Sequence, residues 1–97
     1  MKRKHEVRSD QTLNTLDSLT HQGVDKIGLL IRHSDRFFHE DARMEPFMGL
    51  TPDGKEFARD FGTRLAQARP PRLFSSFFGR CIETAFLIDK GFTAAHG

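Results

Sequence analysis

Leu29-Leu30-Ile31-Arg32-His33-Ser34-Asp35-Arg36 joins an apolar segment to a basic cluster. A short apolar run stops abruptly at Arg-His-x-x-Arg. Ile27, Leu29, Leu30 and Ile31 predict a buried strand over 26–32, with charge at both ends. Where that strand stops, an imidazole is flanked by two guanidinium groups. Neighbouring cations oppose protonation of the ring and so favour its neutral, nucleophilic form. Their planar donor forks also suit a phosphate. The combination points to phosphoryl chemistry.

Downstream, a polar loop over 34–50 holds His39, Glu40, Asp41, Arg43 and Pro46, and is longer than a minimal connection. Thr51-Pro52-Asp53-Gly54 then opens a helix. Thr is a good cap, Pro suits the first helical position, and Asp favours the positive end of the dipole. Phe57, Phe61 and Leu65 fall four apart on one face beside Ala58, and Pro70-Pro71 ends the segment. Arg72 to Ser76 predicts a second strand, centred on Leu73 and Phe74. Arg80 to Lys90 predicts a final helix. Cys81, Thr84, Ala85 and Ile88 line one side of it, Ile82 and Phe86 a neighbouring one, and Gly91 is its stop.

Upstream, residues 1 to about 10 read as a solvated tail containing Lys2, Arg3 and Lys4. Ser9 or Asp10 caps a helix carrying Leu13, Leu16 and Leu19 to about Gln22, stopped by Gly23. Strand, helix, strand, helix, with crossovers long enough for parallel pairing, predicts an α/β fold: a three-layer αβα arrangement with parallel strands. The expected division is a tail and helix over 1–24 and a domain over 25–97.

At 97 residues the chain has room for one small domain. With 37% hydrophobic and 29% charged residues it is globular in composition, not disordered. All its aromatic residues are Phe, ten of them, and Phe57, Phe61, Phe74 and Phe86 are expected in the core. Phe77 and Phe78 either wall a pocket or pack under the last helix, and packing is preferred. A net charge of +2 is too small to argue nucleic-acid binding. No apolar run approaches the roughly 18 residues that span a membrane, and the basic start is not followed by an apolar signal segment. The single cysteine, Cys81, rules out an internal disulfide. The default location is the cytoplasm.

In parallel α/β sheets, ligands sit beyond the carboxyl ends of the strands. Arg32, His33 and Arg36 follow the first predicted strand; Ser75, Ser76 and Arg80 follow the second. Arg80 falls near the amino end of the last helix, where N–H groups and the dipole attract anions. Two loops thus deliver three arginines and one histidine to one sheet edge.

On these residues the chain resembles the histidine phosphatase superfamily, which includes phosphoglycerate mutases and acid phosphatases. Arg32-His33-Ser34 is similar to the family's Arg-His-Gly. Leu50-Thr51-Pro52-Asp53-Gly54 is similar to its Leu-Thr-x-x-Gly element. Ser75, Ser76, Arg80, Thr84 and Ala85 fit its Ser-Ser-x-x-x-Arg-x-x-x-Thr-Ala element. The resemblance covers about Ile27 to Phe92. It implies that His33 is the nucleophile of a phosphohistidine intermediate and that Arg32 and Arg80 clamp the phosphate. Arg36 would match the second arginine of the acid-phosphatase branch. The implied partner is a phosphorylated small molecule or phosphoprotein, with no metal and no cofactor. The residues depart from the pattern at Ser34, where the family has Gly, and at Phe77, where it often has Pro. The family's second catalytic histidine and its acid have no assignable counterpart, and His96 stands at the very end with nothing after it to position it. The expectation is therefore the amino-terminal part of such a domain: a truncated chain of impaired activity whose strand edge is exposed to oligomer formation.

Other chemistries fit less well. His33, His39, Glu40 and Asp41 match no strong metal signature, and nearby arginines disfavour a cation. Cys81 lacks the arginine that a cysteine phosphatase needs shortly afterwards and reads as a packing residue. Ser34 is no hydrolase elbow, because Gly-x-Ser-x-Gly is missing. A non-catalytic anion-binding or interaction module is the rival reading.

Overall fold

A computed structural model of the chain describes residues 4–38, 40–41, 43–44, 48–66 and 70–97. Its elements are three helices: α1 (Lys4–His21), α2 (Pro52–Thr63) and α3 (Gly79–His96). Among the described residues there is no strand, and the parallel-stranded αβα expectation is overturned. Residues 26–32 and 72–76 have the right composition, but a strand exists only when a neighbour completes its hydrogen-bond ladder. The described residues contain one isolated antiparallel bridge, Arg36 to Leu50, outside both predicted strands. The apolar side chains meant for the sheet are exposed instead: Leu30 is 98% exposed and Phe74 89%.

The chain divides into two compact units, one ending at Leu30 and one spanning Ile31–Gly97. In the first, α1 begins at Lys4, well before the expected cap at Ser9 or Asp10, so most of the predicted tail is helical. Its end follows the sequence reading. Gly23 adopts φ +80°, the left-handed conformation that only glycine enters without strain. Gly23 N–H donates to the Thr20 carbonyl and Val24 N–H to that of Leu19, the paired bonds of a Schellman stop. Leu13 is buried, and Leu16 and Leu19 are half-buried.

In the second unit α2 packs on α3. Thr51 caps α2 as the sequence requires: its Oγ1 accepts from Gly54 N–H at 3.0 Å. Gly54, Ala58 and Gly62 recur every four residues, so they share one face, and all three are buried. Thr84, Leu87, Ile88 and Gly91 are the buried residues of α3. A Cβ on Gly62 would overlap the Ile88 carbonyl, and one on Gly91 would overlap that of Arg59. The two backbones therefore approach more closely than side chains permit. Gly91 is a contact glycine inside α3, not its stop; the helix continues to His96. Likewise α2 ends at Thr63, short of Leu65 and Pro70.

Leu50, Ala58, Phe61, Leu87 and Ile88 form the core of this unit. Full burial of a side chain of the size of Leu87 stabilises by roughly 1.5–3 kcal/mol. Of the four phenylalanines assigned to the core, Phe61 is buried and Phe57 half-buried, while Phe74 and Phe86 are exposed. Phe77 is 86% exposed and stacks on Phe78 with ring centroids 4.9 Å apart, so it does not pack beneath α3. Among the described residues no helix is long and apolar enough to cross a membrane.

Candidate functional site

The site grows from the segment after Ile31. His33 and Ser34 are both half-buried, and the next three residues, Asp35, Arg36 and Phe37, are tied to the segment that leads into α2. The Asp35 carbonyl accepts from Thr51 N–H at 3.0 Å, and its carboxylate accepts from the Thr51 hydroxyl at 2.8 Å. Phe37 N–H donates to the Gly49 carbonyl at 2.9 Å, beside the Arg36–Leu50 bridge. Gly54 makes this docking feasible, because a Cβ there would overlap the Asp35 carbonyl.

Ser34 carries the connection to α3. Its N–H donates to Thr84 Oγ1 at 3.1 Å, while the Thr84 hydroxyl donates to the Arg80 carbonyl at 2.7 Å. Buried Thr84 thus joins the backbone beside His33 to the helical turn that begins at Arg80. The Ser34 hydroxyl donates to the Gly54 carbonyl at 2.7 Å, so one residue touches both helices. The two motifs, far apart in sequence, meet through this chain of bonds.

His33 Nδ1 lies 2.8 Å from the Ser34 carbonyl oxygen. A carbonyl only accepts, so Nδ1 carries the proton in this bond. The neutral ring then has its lone pair on Nε2.

Each predicted phosphate ligand has a definite place. Arg80 is the second residue of α3, within the first turn. Its guanidinium carbon lies 4.9 Å from the centroid of the Phe78 ring. The Arg36 guanidinium carbon likewise lies over the Phe38 ring, 3.9 Å from its centroid, and Arg36 donates to the Phe37 carbonyl at 3.3 Å. The Nε atoms of both arginines are buried. The electron-rich face of each ring attracts the guanidinium charge and helps to hold the side chain in place. Arg32 is exposed, as are Ser75 and Ser76. Phe78, the N-cap of α3, provides no side-chain cap, consistent with an anion-attracting helix start.

His96 lies at the other end of α3, about 24 Å along the axis from Arg80. Its Nε2 is 2.8 Å from the Leu65 carbonyl, and its ring sits 4.7 Å from that of Phe92. It is therefore well positioned, contrary to expectation, but remote from His33. His39 and Pro46 lie outside the described residues.

Glu83 escaped the sequence reading. Its carboxylate accepts from Leu50 N–H at 3.2 Å and lies 3.8 Å from Lys55 Nζ, joining α3 to the loop and to α2. The signal was there: Glu83 is the one acidic residue between Arg80 and Ile88, on an otherwise largely apolar stretch. In the loop, Asp41 is held below the usual carboxylate range by hydrogen bonds from the Arg43 side chain and backbone.

Residues 29–95 match the family model of the histidine phosphatase superfamily (branch 1). No curated protein matches the chain. No solved structure matches it either.

Proposed function

The chain belongs to the histidine phosphatase superfamily, and from that premise we propose that it transfers phosphoryl groups through a phosphohistidine at His33. The substrate class is a phosphomonoester, on a small molecule or a phosphoprotein. The carrying observation is the bond from His33 Nδ1 to the Ser34 carbonyl, which leaves the Nε2 lone pair for attack. In this reading Nε2 attacks phosphorus as the ester P–O bond breaks, and the departing alkoxide takes a proton from water. A second water then attacks phosphorus, releasing inorganic phosphate and restoring the ring. A covalent intermediate splits one hard displacement into two easier ones. Arg32, Arg36 and Arg80 hold the phosphoryl oxygens, and their fixed charge stabilises the transition state with little reorganisation. Residues 25–97 carry this chemistry.

Rapid mixing with a radiolabelled phosphomonoester, quenched in alkali, tests it. The expected result is label on the protein that survives alkali, is released by acid, and is absent from His33→Ala. No such adduct in the unsubstituted chain would sink the proposal. The remoteness of His96 favours a second reading, a phosphate-binding module without turnover. Phosphate binding that requires Arg32 and Arg80, with no adduct, would select it.

A further inference from the structure

We propose that Ser34 is a positioning residue for His33, holding the imidazole in the tautomer that exposes the Nε2 lone pair. The inference rests on His33 as the nucleophile, but it concerns a different residue and has its own readout.

Ser34 uses three groups in three directions. Its carbonyl accepts from His33 Nδ1 at 2.8 Å. Its N–H donates to Thr84 on α3 at 3.1 Å, and its hydroxyl donates to the Gly54 carbonyl on α2 at 2.7 Å. The polarity of the α3 anchor is set: the Thr84 hydroxyl proton goes to the Arg80 carbonyl, leaving lone pairs for Ser34 N–H. The Gly54 carbonyl has two lone pairs and can serve both its own helix and the serine.

The hydroxyl is the part that a smaller residue would lack. Without the hydroxyl, Ser34 is held on one side by its N–H bond to α3 and on the other through the Asp35–Thr51 bonds, and its carbonyl rocks between those two points. The hydroxyl ties Ser34 itself to α2 and stops that motion. A wandering carbonyl weakens the Nδ1–H bond and admits the tautomer protonated at Nε2, which has no lone pair to offer phosphorus. Ser34 thus acts through its neighbour and touches no substrate.

The two ring nitrogens report the tautomer directly in ¹⁵N NMR of the histidine-labelled full chain, with the His33 signals identified by their loss in His33→Ala. With the ring neutral, the unsubstituted protein is expected to show protonated Nδ1 and unprotonated Nε2. In Ser34→Ala both shifts move toward each other as the tautomers mix, and Ser34→Thr, which keeps the hydroxyl, restores them. Turnover falls by up to about a hundredfold in Ser34→Ala, with phosphate affinity unchanged. Ser34→Cys, close in volume but a weak donor, replaces Ser34→Ala if that variant does not fold. Unshifted nitrogens in a folded variant without the hydroxyl overturn the positioning role, even if the phosphohistidine adduct forms. A tautomer change without any adduct overturns the phosphohistidine reading and leaves the positioning role standing.

Discussion

The α2–α3 pair and the apolar stretches around Leu30 and Phe74 are made of similar residues and meet opposite fates. Leu87 and Ile88 are buried in the first, whereas Leu30 and Phe74 stand almost wholly exposed. A helix closes its backbone bonds within itself, so an apolar face needs only another face to pack on. An extended segment must find a partner for its backbone before its side chains gain cover. Apolar content alone therefore does not predict burial in this protein.

The largest test of this contrast is a matched truncation. Leu87→Ala should lower stability by roughly 2–5 kcal/mol, a large share of what a domain of this size holds. Leu30→Ala should stay within about 0.5 kcal/mol. Urea unfolding measures both, and equal losses would mean that Leu30 is covered in solution. Next come the glycines. Gly62→Ala and Gly91→Ala should each cost about 1–3 kcal/mol by forcing the helices apart. Gly28→Ala, where an added Cβ meets nothing within 4 Å, should be neutral. A neutral Gly62→Ala would mean that the helices are not in close contact.

Thr51→Ala should cost about 1 kcal/mol, because the cap bond to Gly54 is lost. Its effect should appear as a shifted urea midpoint at constant slope. The smallest change is expected at Asp41. Its carboxyl is depressed by Arg43, so the pair contributes above the ordinary carboxylate range and loses its contribution as pH falls through the lowered value. Both side chains are solvated, so Asp41→Asn should leave the midpoint at pH 7 unmoved. A measurable drop would show that the loop docks on the helices.

What was legible was local. Thr51 as a cap and Gly23 as a stop are read from one turn of chain, and both stand. Gly91 was misread because a stop and a packing contact leave the same mark in sequence. The repeat Gly54-x-x-x-Ala58-x-x-x-Gly62 was visible, but its partner helix was not. Ser34 read as a departure from a glycine pattern; its three bonds to His33, Thr84 and Gly54 emerge only when two helices surround it. Glu83 is the same kind of case, an isolated acid whose partners lie far away in sequence.

From sequence alone came the helical segments of the second unit, their cap, the three motifs and the phosphatase kinship, since each depends on residues close together along the chain. Tertiary structure alone decided which phenylalanines are covered, that the two predicted strands do not pair, and that Ser34 spans two helices beside His33. Those outcomes depend on backbone groups and carbonyls distant in sequence, and no local pattern records where a distant hydrogen-bond partner will stand.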